Sequence, residues 1–154
     1  MSAEQRLKNL GIVLPVASAP AGSYTKVVTL DGFAHLSGQG PRNPDGSPMT
    51  GQVPTDRSVE EAVAAARNVG FQALAVLRES LGSLDRVAQV VRTFGMVNAV
   101  PGFTQHPKVI DGFSNLMIEI FGEAGRGARS AVGMGSLPFN ISVEVEMTVK
   151  VKDV

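Results

Sequence analysis

Arg129 is the residue whose setting in this 154-residue chain first suggests chemistry. It stands between Ala128 and Ser130, with Ala131 and Val132 following, so small neighbours leave space beside its guanidinium. A guanidinium can hold a carboxylate through two parallel hydrogen bonds. The competing account is an ion pair at a surface or interface, and these residues alone favour it. Glu144 and Glu146 come next, about 7 Å apart on one face of an alternating stretch, twice the rise per strand residue. A strand carboxylate that faces a closed pocket can orient or activate water. A solvated strand face is the commoner setting, and pattern alone favours that. His35 and His106 are the only histidines, and with no HExxH-like spacing they make no metal motif. Ser37-Gly38-Gln39-Gly40 is glycine-rich, yet it opens no helix, so it fits neither a P-loop nor a dinucleotide fingerprint. Its glycines would instead let the backbone approach a ligand or a neighbouring chain. Tyr24, the one tyrosine, lines a pocket or packs in the core. Ser130 has no visible His–Asp partnership, so a catalytic triad is unsupported.

These side chains need a scaffold. From Ile141 to Val151 apolar and polar residues alternate without a break, which predicts a strand with one buried face. A strand over 128–133 precedes it and carries Arg129. Val27-Val28-Thr29-Leu30, Asp31-Gly32 and Phe33-Ala34-His35-Leu36 read as a hairpin, with Asp-Gly supplying the positive φ angles of a two-residue turn. Ser58-Val59-Glu60-Glu61 is a capping box that opens a helix running to about 81. Its expected buried stripe is Val59, Val63, Ala66, Ala73, Leu74, Leu77 and Leu81, and Gly82 ends it. A central strand over 87–97 and a second long helix over 107–121, stopped by Gly122, complete the order. A short helix over 3–10 and an extended lead-in over 11–23 precede the hairpin. Residues 41–54 form a loop with a turn at Asn43-Pro44-Asp45-Gly46.

Hairpin, helix, strand, helix and two strands suit one mixed sheet with two helices on one face, an α+β fold. The other face of that sheet, with Ser142, Glu144, Glu146, Thr148 and Lys150, lacks a third layer to cover it. A symmetric oligomer is the expected answer. The length suits a single domain over 1–154, with 1–21 as an N-terminal extension. Lysine plus arginine and aspartate plus glutamate number 14 each, which argues against general nucleic-acid binding. The chain has no cysteine, which excludes disulfides, thiolate nucleophiles and cysteine-bound metals. No apolar run nears the ~20 residues of a membrane span. The first ten residues carry no signal-peptide core, so a cytoplasmic location is expected.

Several stretches together resemble the RidA/YjgF family of imine and enamine deaminases. They are Gly22-Ser23-Tyr24, Leu36-Ser37-Gly38-Gln39, Asn43-Pro44 with Gly51-Gln52-Val53, Ala128-Arg129-Ser130-Ala131-Val132, Leu137-Pro138 and Val143-Glu144-Val145-Glu146. The resemblance implies a chorismate-mutase-like fold and a homotrimer whose sheets form an inner barrel, with sites at the subunit interfaces. It implies that Arg129 binds a substrate carboxylate and that Glu144 positions the hydrolytic water. It also places the backbone of Ala131, the side chain of Tyr24 and the backbone of Gly38 around the ligand, with Asn115 near a polar family position. Residues 41–51, the N-terminal segment and residues 100–109 are longer than in the simplest members. Gly133-Met134-Gly135 replaces bulkier residues.

The function so implied is cofactor-free and metal-free hydrolysis of a small 2-imino or enamine acid to a 2-oxo acid and ammonia. A reactive imine asks for positioning and one acid–base group. The alternatives are a non-catalytic binder of carboxylate metabolites, using the same pocket, and an endoribonuclease.

Overall fold

The computed structural model describes residues 1–152. The first helix, α1 (Ala3–Asn9), is capped by Ser2, whose side chain accepts from the Gln5 N–H, and it buries Ala3 and Leu7. Its Glu4 pairs with Arg78 and accepts the Leu84 N–H at 3.0 Å, which fastens the N-terminal segment to the body. Strands β1 (Val27–Leu30) and β2 (Phe33–Gln39) form the expected hairpin. Asp31 and Gly32 turn it with φ of 50° and 74°, the left-handed pair of a tight two-residue turn.

Helix α2 (Val59–Leu81) opens with the complete capping box, Ser58 and Glu61 each accepting the other's backbone N–H, and closes on Gly82 at φ 80°. After a short 3-10 turn come β3 (Val87–Asn98), α3 (His106–Phe121), β4 (Ala128–Met134) and β5 (Val143–Val151). The sheet runs β1-β2-β5-β3-β4. Among the described residues only the β3–β4 strand pair is parallel, and α3 makes the crossover between them. The last strand therefore inserts between β2 and β3 and ties the two halves together.

Both long helices lie on one face. Val143, Val145, Met147, Val149 and Val151 of β5 point into that core, where Phe113, Leu74, Leu77, Ile110 and Leu116 are fully buried. Each such side chain contributes about 1.5–3 kcal/mol of burial free energy. Close approach is set by missing side chains. A Cβ on Gly112 would lie 2.1 Å from the Val63 carbonyl oxygen, so α2 and α3 touch there backbone to backbone. A Cβ on Gly95 would lie 2.6 Å from Ile110, which lets α3 settle on β3. Arg67 and Glu119 then clasp α2 to α3 with hydrogen bonds of 2.9 and 2.7 Å.

Two expectations need correcting. Val63 is only half-buried; the other six residues of the expected α2 stripe are buried, and Ala62, Ala65 and Val69 join them. The crossing at Gly112 uses the backbone of Val63, not its side chain. The final strand begins at Val143, not Ile141, because Phe139 and Asn140 turn the chain with φ of 56° each. Ile141 is still buried and bridges to Thr50 of the long loop.

Candidate functional site

Strand periodicity separates the two principal side chains. Thr93 of β3 is in register with Arg129, and Gly95 with Ala131. Gly95 faces Ile110 of α3, and Gly133 faces His106, so Arg129, Ala131 and Gly133 belong to the helix face of the sheet. Glu144 and Glu146 are flanked by the core-facing Val143, Val145 and Met147 and so belong to the opposite face, opposite Met96 and Phe94 of β3.

Each face has its own cavity. On the uncovered face a cavity of about 740 Å³ is lined by Tyr24, Lys26, Gly38, Gln39, Arg42, Glu144 and Glu146, among others. The register shift between Leu36 and Gln39 of β2 brings Gly38 over Glu144. A Cβ there would fall 2.0 Å from the Glu144 Oε1, so the absent side chain is the seat of that carboxylate. Glu144 is half-buried, and its pKa is raised, first by desolvation and then by the neighbouring Glu146 charge. A carboxyl held back from ionisation in a cleft is equipped to exchange a proton with a bound reactant.

On the helix face a cavity of about 220 Å³ opens beside Thr93, Asp111, Ser114, Asn115 and Arg129. Arg129 donates to the Asp111 Oδ1 at 2.7 Å, to the Ser114 Oγ at 3.2 Å and to the Pro107 carbonyl at 3.4 Å. The ion-pair account of Arg129 is thus realised within one chain. Asp111 and Ser114, neither of them singled out by the sequence, supply the side-chain contacts to the guanidinium. Asn115 lines the same cavity one position later. The signal available was the i, i+3 spacing of Asp111 and Ser114 on α3, one helical face. Ala131 lines neither cavity; it is partly buried against the core, on an edge strand whose outer backbone groups have no partner strand among the described residues.

The sequence-derived residues therefore fall into two groups. Tyr24, Gly38 and Glu144 come together; Arg129 and Asn115 come together elsewhere. One small ligand cannot touch both groups within a single chain. His35 stays exposed, its Nδ1 3.1 Å from the Thr148 Oγ1, and His106 stacks edge-on against Phe103 with ring centroids 5.0 Å apart. No three His, Asp or Glu side chains cluster as a metal site would require among the described residues.

This fold and these stretches have clear relatives. Residues 4–150 match the family model described as "YjgF/chorismate_mutase-like, putative endoribonuclease". The chain belongs to the RidA/YjgF family. It is 43% identical over 148 residues to Protein TCP17 of Trypanosoma cruzi, covering 96% of this chain and 92% of that one. A structure described as a "putative endoribonuclease" from Shewanella oneidensis superposes with a TM-score of 0.93 at 34% identity, covering 98% of this chain and all of that one (100%). The protein Atu1372 of Agrobacterium tumefaciens, described as of unknown function, superposes at 0.87 with 38% identity, covering 97% and 91%. The RidA/YjgF fold is therefore the single mixed sheet described above. None of its helices in this chain is long and apolar enough to cross a membrane, among the described residues.

Proposed function

We propose that this RidA/YjgF chain hydrolyses small reactive 2-imino or enamine acids, converting the C=NH group and water into a 2-oxo acid and ammonia. The observation that carries this reading is the setting of Glu144, a half-buried carboxyl seated on Gly38 with its charge disfavoured. Ionised Glu144 takes a proton from water as the oxygen attacks the imine carbon and passes it to the nitrogen; it then carries the proton of the resulting hydroxyl to the same nitrogen, so that the C–N bond breaks to release ammonia as the C=O bond forms. Arg129 binds the substrate carboxylate. Because Arg129 and Glu144 stand on opposite faces of one sheet, the reading requires two chains: the Arg129 of one copy completes the Glu144 cavity of the next, in a homotrimer. The edge position of β4 suits that arrangement, since Arg129 lies where a neighbour can approach. No cofactor enters the reaction.

A second reading uses the same pocket for binding without turnover. Arg129 is already engaged by Asp111, so a ligand carboxylate must displace or share that partner. A protein that only binds 2-oxo acids would show raised melting temperature with them and no consumption of imine. RNA cleavage fits less well, because the charges balance and phosphate contacts favour a basic surface.

The test is ammonia release from imines generated in place by an amino-acid oxidase. The wild-type chain should accelerate it. Glu144→Gln should lower kcat by about 100-fold or more, the usual worth of a general acid–base group. Arg129→Ala should lower kcat/KM by about 10- to 150-fold, the loss of one charged hydrogen-bonded contact. Normal turnover by both variants would show that the site is elsewhere.

A further inference from the structure

Two cations in the Glu144 cavity have no part in the reaction just described. Lys26 Nζ donates to the Ser18 Oγ at 2.9 Å and lies 3.5 Å from the Gln39 Oε1. Gln39 is buried, and its own amide nitrogen donates to the Ser37 carbonyl at 2.9 Å, which fixes its oxygen towards Lys26. Arg42 lines the same cavity and donates to the Gly46 carbonyl at 2.9 Å. Arg57, Arg67, Arg78, Lys108, Arg126 and Arg129 each hold a carboxylate. Lys26 and Arg42 hold none among the described residues; other unpaired cations exist, such as Arg86 and Lys152, but only these two line the cavity with Glu144 and Glu146.

A part-buried ammonium satisfied only by neutral oxygens is an incomplete site. Burial is the main cause that lowers the Lys26 pKa; Tyr24 acts against it, and the charge of Arg42 adds to it. An anion arriving between the two would relieve both effects. The cavity also has room for one. At about 740 Å³ it is in the range that holds drug-sized ligands, well beyond the needs of a three- or four-carbon imino acid.

We propose that Lys26 and Arg42 select substrates with a second carboxylate, so that the preferred substrate is a dicarboxylic 2-imino acid. The side-chain carboxylate sits at Lys26 and Arg42 while the imine carbon faces Glu144. A singly charged carboxylate suits the site better than a phosphate dianion, because Glu144 and Glu146 repel charge in the same half-open cavity. This inference rests on the deaminase reading for the placement of the imine, but its anion site stands on the cation pair alone.

The experiment has two arms. In the first, kcat/KM is compared for the imines formed from glutamate and from leucine, in wild type, Lys26→Arg and the double variant Lys26→Gln/Arg42→Gln. The wild type should favour the diacid by about tenfold or more, the factor expected for a charge-assisted contact. Lys26→Arg should keep that preference and the double variant should lose it. In the second, calorimetry measures binding of 2-oxoglutarate and 4-methyl-2-oxopentanoate to the same proteins, independently of turnover. Diacid-selective binding that disappears in the double variant, without any imine hydrolysis, would support the anion site and remove the deaminase reading. Hydrolysis with no diacid preference, or a preference that survives in the double variant, would overturn the anion site and leave the deaminase reading. No selectivity and no hydrolysis would overturn both.

Discussion

At the scale of the residue, Glu144 and Gly38 form one unit. The carboxylate occupies the space a β-carbon would take, so Gly38→Ala pushes it aside. Because the displaced group is the end of a flexible side chain, the expected result is a large fall in imine turnover with a small change in melting temperature. Glu144 also marks stability with pH. Its pKa is higher in the folded chain than in the unfolded one, so the folded state binds the extra proton. The cost of ionising it is present in full above the folded pKa. That cost is relieved as pH falls through that value towards the ordinary carboxylate range. Glu144→Gln should therefore be more stable than wild type at pH 7, with the difference closing under acid. Urea midpoints across pH would measure it. Period-two alternation located Glu144 on the polar face but could not distinguish it from Glu146. What separates them is Gly38, brought overhead by an irregularity in the β2–β5 register that no local pattern encodes. The same limit hid Ser114, whose contact with Arg129 depends on how α3 crosses β4.

At the scale of the element, the order and type of helices and strands follow from signals with a direct physical cause. The Asp31-Gly32 turn, the Ser58–Glu61 box and the Gly82 stop each impose a backbone state on their own neighbourhood. Helix-to-helix contact does not read out in this way. The expected stripe of α2 holds at Val59, Ala66, Ala73, Leu74, Leu77 and Leu81 and fails only at Val63, whose backbone, not its side chain, meets Gly112. The start of β5 is displaced because Ile141 keeps its apolar periodicity while Phe139 and Asn140 take a turn conformation. Gly112→Ala tests the close crossing. A methyl group 2.1 Å from a backbone oxygen cannot be relieved by a rotamer change, so the helices must separate. The expected loss is about 3 kcal/mol, the upper end for overpacking, seen as a lowered urea midpoint at unchanged m.

At the scale of the whole molecule, the sheet has one face covered by α2 and α3 and one face that carries Glu144, Glu146 and Thr148 beside Phe94 and Met96. A single chain leaves that second face and the β4 edge open, and it leaves Arg129 and Glu144 apart. Composition and alternation revealed the uncovered face. They could not reveal that Arg129 belongs to the other side, because that depends on the parallel pairing of β4 with β3. Under the proposed function the site is built from two copies. Mixing Arg129→Ala chains with Glu144→Gln chains, unfolding them together and refolding the mixture tests this most directly. Each variant alone should be nearly inactive. If sites form between copies, the refolded mixture should recover roughly one quarter of wild-type imine hydrolysis, since one in four random neighbour pairings joins an intact Arg129 to an intact Glu144. If the mixture stays as inactive as its parts while wild type refolded in parallel is active, the two residues do not meet across a subunit interface.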